Sequence, residues 1–136
     1  TVAALIDSYR LVHDALASDD FDAANKTAAD LKIGANEWLN STGTGDPQHE
    51  NVVLMAKGCE QLTSASAEKE MRTAFGTISQ GVVQFIRRDV SLQAQWQLIF
   101  CSMTTDYGYW VQPLGQKIAN PYFGTAMPTC GTKKKW

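Results

Sequence analysis

The sequence has few of the residues on which metal and redox enzymes usually depend. It contains two histidines and three cysteines in 136 residues, and an odd cysteine count excludes a framework made only of paired disulfides. The absence of Cys-x-x-Cys argues against a thioredoxin-type redox site, and the absence of Cys-x-x-Cys-His excludes covalent haem. Glu-x-x-His, a P-loop and Gly-x-Gly-x-x-Gly are also missing, so neither a di-iron nor a nucleotide site is indicated. We therefore expect a protein that is not an enzyme.

Long apolar runs and an excess of positive charge are missing too. The longest apolar stretches, such as residues 52–56, are far shorter than the roughly 20 residues of a membrane-spanning helix. The formal net charge of −2 disfavours sequence-independent binding of nucleic acid, which needs a basic face. The hydrophobic content of 44% is high enough for a packed core, so one domain over residues 1–136 is expected.

The first two-thirds of the chain has helical periodicity. In four segments the apolar residues recur at steps of three and four, which places them on one face of a helix. Such helices bury their apolar faces against one another, so the sequence predicts a mainly α fold. The specific expectation is an up-down-up-down antiparallel four-helix bundle over residues 1–90. The four stripes are Leu5, Tyr9, Val12 and Leu16; Phe21, Ala24, Ala28, Leu31, Ala35 and Trp38; Val52, Met55, Cys59 and Leu62; and Met71, Phe75, Ile78, Val82 and Phe85.

Capping and turn residues separate these stripes. Residues 18–20 supply N-cap candidates for the second helix. Asp46 followed by Pro47 is typical of the start of a third helix, with Asp46 as its N-cap. Ser64 or Ser66 is the expected N-cap of the fourth.

The last third of the chain has a different composition. Three of the four prolines and three of the four tryptophans lie beyond residue 95. Residues 91–132 are therefore predicted to form an ordered, aromatic and Gly/Pro-rich cap that includes a short strand near residues 95–100 or a hairpin. Residues 133–136 carry the only basic run and are expected to be a solvated tail.

Two short sulfur-bearing elements lie in the cap. Cys101 and Met103 form Cys-x-Met, and Met127 and Cys130 form Met-x-x-Cys. In an extended segment residues two apart point the same way, and residues three apart approach each other across a turn. Thiolate and thioether sulfurs select soft monovalent ions, so the four residues are candidate ligands of Cu(I) or Ag(I).

A structural interpretation is open on the same residues. Cys101 and Cys130 can instead form a disulfide that clamps the cap, with Met103 and Met127 filling gaps in a small core. The cap is then a structural or protein-interaction module with an aromatic docking surface. That surface comprises Trp96, Tyr107, Tyr109, Trp110, Tyr122 and Phe123.

The remaining cysteine and the two histidines carry little functional signal. Cys59 lies on the third helical stripe and is expected to be a buried thiol. His13 is expected at the boundary or surface of the first helix, and His49 is expected to be exposed.

The cap resembles the C-terminal signature of a bacterial family of periplasmic domains of unknown function. These domains occur alone or fused to the C-terminus of membrane-fusion (adaptor) subunits of copper/silver efflux pumps. The signature is Cys-Pro-Met, a Trp-Leu or Trp-Ile element, and Asn-Pro-Tyr-[Phe/Tyr]-Gly-x-x-Met-x-x-Cys-Gly. Residues 120–131 match its second half in full, and helical segments such as residues 72–79 are similar as well. The matching motif residues are Trp110, Asn120, Pro121, Tyr122, Gly124 and Gly131, with Ser102 in place of the family's proline.

The resemblance implies an exported domain that handles copper or silver. The presumed ligand sulfurs fall on Cys101, Met103, Met127 and Cys130. The implied partners are the metal ion and an efflux-pump adaptor or metallochaperone. The implied location is the periplasm of a Gram-negative bacterium, reached through a leader that is later removed or retained as an anchor. Ser102 makes the first ligand loop freer than in the family pattern.

Overall fold

The computed structural model describes residues 1–136 as four long helices followed by a small sheet. The helices are α1 (Val2–Ala17), α2 (Phe21–Thr42), α3 (His49–Thr63) and α4 (Glu68–Arg87), with a one-turn helix α5 (Val90–Gln93) after them. The strands are β1 (Trp96–Phe100), β2 (Tyr109–Pro113) and β3 (Thr132–Lys134), with a 3-10 turn at Gly124–Ala126. The predicted mainly helical fold with a strand in its C-terminal segment is confirmed.

The predicted stripes form the core, because nearly all of their residues are buried; Phe21 and Trp38 are half-buried. Each of the four long helices packs against the next one in the chain. Helices α1 and α4 make few contacts with each other, and β2 packs along α4. The sheet therefore packs against one side of the helical core.

Two of the expected caps differ from those observed. The side chain of Asp20 caps α2 as predicted, by accepting a hydrogen bond from the amide of Ala23. The prediction of Asp46 as N-cap of α3 is wrong, because that helix begins at His49 and Asp46 stabilises the turn before it. The prediction of a serine cap for α4 is also wrong, since Ala67 occupies that position without a side-chain hydrogen bond.

The sheet is antiparallel throughout and has the order β2-β1-β3. Strand β3 comes from the segment expected to be a basic tail. Its side chains are exposed, but its backbone pairs with β1 in a register that sets Phe100 opposite Thr132. The indole of Trp136 then donates a hydrogen bond to the carbonyl of Trp96. The basic run is thus part of the sheet. None of the helices is both long and apolar enough to cross a membrane.

Candidate functional site

The structure brings Cys101 and Cys130 together. Cys101 directly follows β1 and Cys130 lies two residues before β3, so the pairing of these strands carries both residues to the same end of the sheet. Their sulfur atoms are 3.3 Å apart, and both residues are free thiols. Cys101 is fully buried, whereas Cys130 is half-buried. The pair is therefore reachable from the Cys130 side.

The two thiols share a hydrogen bond. This bond with Cys101 raises the pKa of Cys130 above its ordinary value, and burial adds to the effect. Cys130 consequently keeps its proton at neutral pH. A ligand that binds the sulfurs as thiolates must displace that proton.

The two methionines lie in different surroundings from the buried thiol. The extended segment expected at Cys101–Met103 is wrong, because β1 ends at Phe100 and residues 102–103 form a turn. Met103 is 59% exposed while Cys101 is fully buried. Met127 is half-buried and ends the 3-10 turn, and its carbonyl accepts a hydrogen bond from the amide of Cys130. The expected turn between Met127 and Cys130 is therefore present.

Asn120 organises the segment that carries Cys130. Its side chain is fully buried and makes three hydrogen bonds. The amide nitrogen donates to the carbonyl of Cys130 at 2.7 Å, and the amide oxygen accepts from the backbone N–H groups of Tyr122 and Phe123. Its backbone N–H donates to the carbonyl of Pro128. The Asn-Pro-Tyr-Phe-Gly motif thus acts as a brace for the second sulfur-bearing turn.

A polar interlock ties this motif to the helices. Arg72 on α4 donates hydrogen bonds to the carbonyls of Leu16 and Pro121, and its guanidinium pairs with Asp19 at 2.6 Å. The carboxylate of Asp19 also accepts from the hydroxyl of Thr125. The hydrogen bond from Thr125 is the main cause that lowers the pKa of Asp19; burial opposes it, and the hydrogen bond from Arg72 adds to the lowering. One guanidinium therefore links the α1–α2 turn, α4 and the cap.

The two motif glycines lie where a side chain has no room. Gly124 has a φ of +57°, and an added Cβ would stand 1.8 Å from the Asp19 carboxylate. At Gly131 an added Cβ would stand 2.8 Å from both Ile99 and Trp110. Both glycines permit the cap to approach its neighbours closely.

Three hydroxyl groups hold β2 in place, one on α1, one on α4 and one in the cap segment that follows β2. The hydroxyl of Tyr9 donates to the carbonyl of Val111 and accepts from its N–H. The hydroxyls of Ser79 and Tyr122 both donate to the carbonyl of Tyr109. Burial raises the pKa of Tyr9 and of Tyr122 well above the ordinary phenol value, so both remain protonated donors. Sequence periodicity marks Tyr9 only as a core residue, and nothing in it signals this hydrogen bond.

His13 is buried, and its expected position at the boundary or surface is wrong. Its Nε2 lies 2.8 Å from the carbonyl of Ala119, and its Nδ1 lies 2.9 Å from the Asp14 carboxylate. The histidine therefore faces the cap, on a side of α1 that the apolar stripe does not mark.

His49 is half-buried rather than exposed. Cys59 is buried as predicted, and burial raises its pKa to about 12.

The aromatic residues of the cap are mostly core residues. Trp96, Trp110 and Tyr122 are buried, and the Trp110 indole donates to the side chain of Gln112. Tyr107, Tyr109 and Phe123 keep partial exposure. Half of the expected docking surface is thus inside the molecule.

Comparison with protein families adds one assignment. Residues 5–93 match a family described as a protein of unknown function (DUF3347). The chain belongs to this family. The match spans α1 to α5 and ends before the sheet, so both sulfur-bearing elements lie outside it. Comparisons with curated proteins and with solved structures return no match.

Proposed function

We propose that the chain binds Cu(I) or Ag(I) through Cys101 and Cys130, as an exported domain for copper or silver handling, resistance or efflux. The observation that carries the proposal is the 3.3 Å separation of two unbonded thiol sulfurs. Soft sulfur donors favour soft monovalent ions over hard cations. The ion is the cargo of the protein, and the helices, in the up-down-up-down order inferred from the sequence, are its scaffold.

The two sulfurs need to move apart by about 0.7 Å to suit an ion of low coordination number. With a metal–sulfur bond of about 2.3 Å, as in zinc thiolates, the present geometry gives a sulfur–metal–sulfur angle of about 90°. Opening the pair to a separation of about 4.0 Å gives the angle of a three-coordinate site, about 120°. A rotation of the half-buried Cys130 side chain supplies a shift of that size. The third position is then open to a thioether or to an incoming partner.

The donor set also argues against zinc. No three His, Cys, Asp or Glu residues of the chain are grouped as a metal site needs them. Structural zinc sites use four such ligands, and catalytic zinc sites use three. A thiol pair supplemented by Met103 or Met127 instead matches the preference of Cu(I) and Ag(I) for sulfur.

Ligand exchange is the mechanism that this arrangement supports. The ion arrives at exposed Met103 or half-buried Met127, and Cys101 and Cys130 take it up as thiolates while each thiol releases its proton. Binding releases protons, so affinity increases with pH. An efflux-pump adaptor or a metallochaperone is the proposed partner for delivery or removal.

A Cu(I) competition titration tests the proposal. The fully reduced protein competes anaerobically with a chromophoric chelator, and we expect tight binding of one ion. Removal of an outer-shell group alone typically costs 10–100-fold in affinity, so Cys101→Ser or Cys130→Ser should cost at least about 100-fold. Cys59→Ala is the matched control, and it should bind as the wild type does. An unchanged affinity in Cys101→Ser overturns the site.

A second candidate function rests on the same distance. Two thiols 3.3 Å apart need to approach by little more than 1 Å to form a disulfide, when a thiol oxidant of an oxidising compartment removes two electrons and both thiol protons leave. The cap is then a stapled interaction module whose surface retains Tyr107, Tyr109 and Phe123. A thiol count on the unfolded, unreduced protein separates the two functions, since one free thiol supports the staple and three support the metal site.

A further inference from the structure

A cavity of about 220 Å³ lies between α4 and the two loops of the cap. Its lining residues include Met103, Tyr122 and Phe123. Neither Cys101 nor Cys130 lines it. An engineered apolar cavity of about 150 Å³ is large enough for benzene, so this cavity has room for one aromatic ring and a small polar group. It is open to solvent on one side, which permits a ligand to enter.

Three charged residues line this cavity, and only two of them are available to a ligand. Arg72 is already occupied by two carbonyls and by Asp19. Lys69 on α4 and Asp106 on the loop after Cys101 form no ion pair, either with each other or with another residue. The cavity therefore presents one free cation and one free anion beside an apolar interior.

We propose that the cavity binds a free amino acid with an aromatic or other large apolar side chain. The ligand's carboxylate pairs with the ammonium group of Lys69, and its ammonium group pairs with the carboxylate of Asp106. Its side chain packs against Met103, Tyr122 and Phe123, where ring–ring and sulfur–ring contacts are favourable.

The charge pattern selects a zwitterion over simpler ligands. A plain aromatic acid would satisfy Lys69 but would place its carboxylate near Asp106 without a compensating cation. A plain aromatic amine would meet the opposite difficulty at Lys69. An amino acid carries both charged groups on one carbon atom, which is the ligand chemistry that two unpaired, opposite charges at one cavity recognise.

Binding of L-phenylalanine to the reduced, metal-free protein tests the proposal by ¹H–¹⁵N and methyl NMR titration. We expect saturable shifts at Met103 and Phe123. N-acetyl-L-phenylalanine lacks the ammonium group and L-phenylalaninamide lacks the carboxylate, and each should bind about fivefold more weakly, the upper range for one exposed ion pair. Because no metal is present, the result does not depend on the metal-binding proposal.

Matched variants show which residue of the cavity pairs with each charged group of the ligand. Lys69→Gln should weaken phenylalanine about fivefold and should abolish its advantage over the amide. Asp106→Asn should do the same relative to the N-acetyl compound. Lys57→Gln and Asp30→Asn change exposed residues outside the cavity and should leave binding unchanged. Absence of saturable shifts, shifts confined to another surface, or equal binding of all three compounds overturns the proposal.

Discussion

The side-chain amide of Asn120 donates a hydrogen bond of 2.7 Å to the backbone carbonyl of Cys130. Its amide oxygen receives two backbone N–H groups of the turn that follows. Ten residues of chain separate the two partners, and the bond fixes where the second thiol stands relative to the first. The position of Cys130 therefore depends on a neutral amide that both donates and accepts.

Replacing Asn120 with aspartate should destabilise the protein and loosen Cys130. The carboxylate still accepts from the two amides but places a charged oxygen against the Cys130 carbonyl, in a fully buried position. We expect a loss of about 2–3 kcal/mol in urea unfolding and faster alkylation of Cys130 by iodoacetamide. Asn25→Asp, at an exposed position on α2, should change stability by less than about 0.5 kcal/mol. Equal stability of the two variants would contradict the role of Asn120 as a brace.

Removing the Cys101 thiol should make Cys130 more reactive. The hydrogen bond with Cys101 raises the pKa of Cys130, so less thiolate is present at a given pH than for an ordinary cysteine. Cys101→Ala removes that bond, lowers the pKa of Cys130 and shifts the alkylation–pH profile to lower pH. Mass spectrometry of Cys130 alkylation between pH 7 and 10 measures the shift. A profile that does not move would show that the thiols do not interact in solution.

Gly124→Ala should separate the cap from the helices. The new methyl group would overlap the Asp19 carboxylate that pairs with Arg72, at a backbone φ of +57° that L residues rarely adopt. We expect a loss of about 1–3 kcal/mol in thermal or urea unfolding. Gly45→Ala is the control, because a Cβ at Gly45 has nothing within 4 Å and the φ of Gly45 is not positive. Similar losses in both variants would contradict the steric argument.

Tyr9→Phe should weaken the attachment of β2 to α1. The ring still packs on Phe75, but the variant leaves the N–H and the carbonyl of Val111 without their shared hydroxyl partner. The expected cost is about 1–3 kcal/mol in urea unfolding, together with faster amide exchange at Val111. Val111 amide exchange as slow as in the wild type would show that another group satisfies this N–H.

Local periodicity was sufficient to predict the helical part of the fold. The stripes that contain Leu16, Leu31, Met55 and Ile78 are buried because each lies on one face of a regular helix. Capping was harder to predict. Asp46 has the composition of an N-cap, yet the chain makes a turn there and the helix starts three residues later.

The features that sequence patterns missed depend on contacts between distant segments. Strand β3 has the sequence Thr-Lys-Lys and lacks an alternation of apolar residues. It is held by backbone pairing with β1 and not by burial of its side chains. His13 is buried against the cap, where its Nε2 contacts the carbonyl of Ala119, more than 100 residues away in the chain. Spacing alone gave two pairs of sulfurs, but only the strand pairing shows that Cys101 and Cys130 meet.

The register of β1 and β3 has a consequence for how the thiol pair can change. Phe100 is opposite Thr132, so the two cysteines meet because Cys101 lies one residue beyond the ladder and Cys130 two residues before it. Inserting one residue between Cys130 and Thr132 would leave both cysteines and most of the motif in place. It would nevertheless turn the Cys130 side chain toward the opposite face of the sheet's end and separate the sulfurs. The spacing to the strand, as much as the presence of the cysteines, therefore determines whether a related chain has this pair.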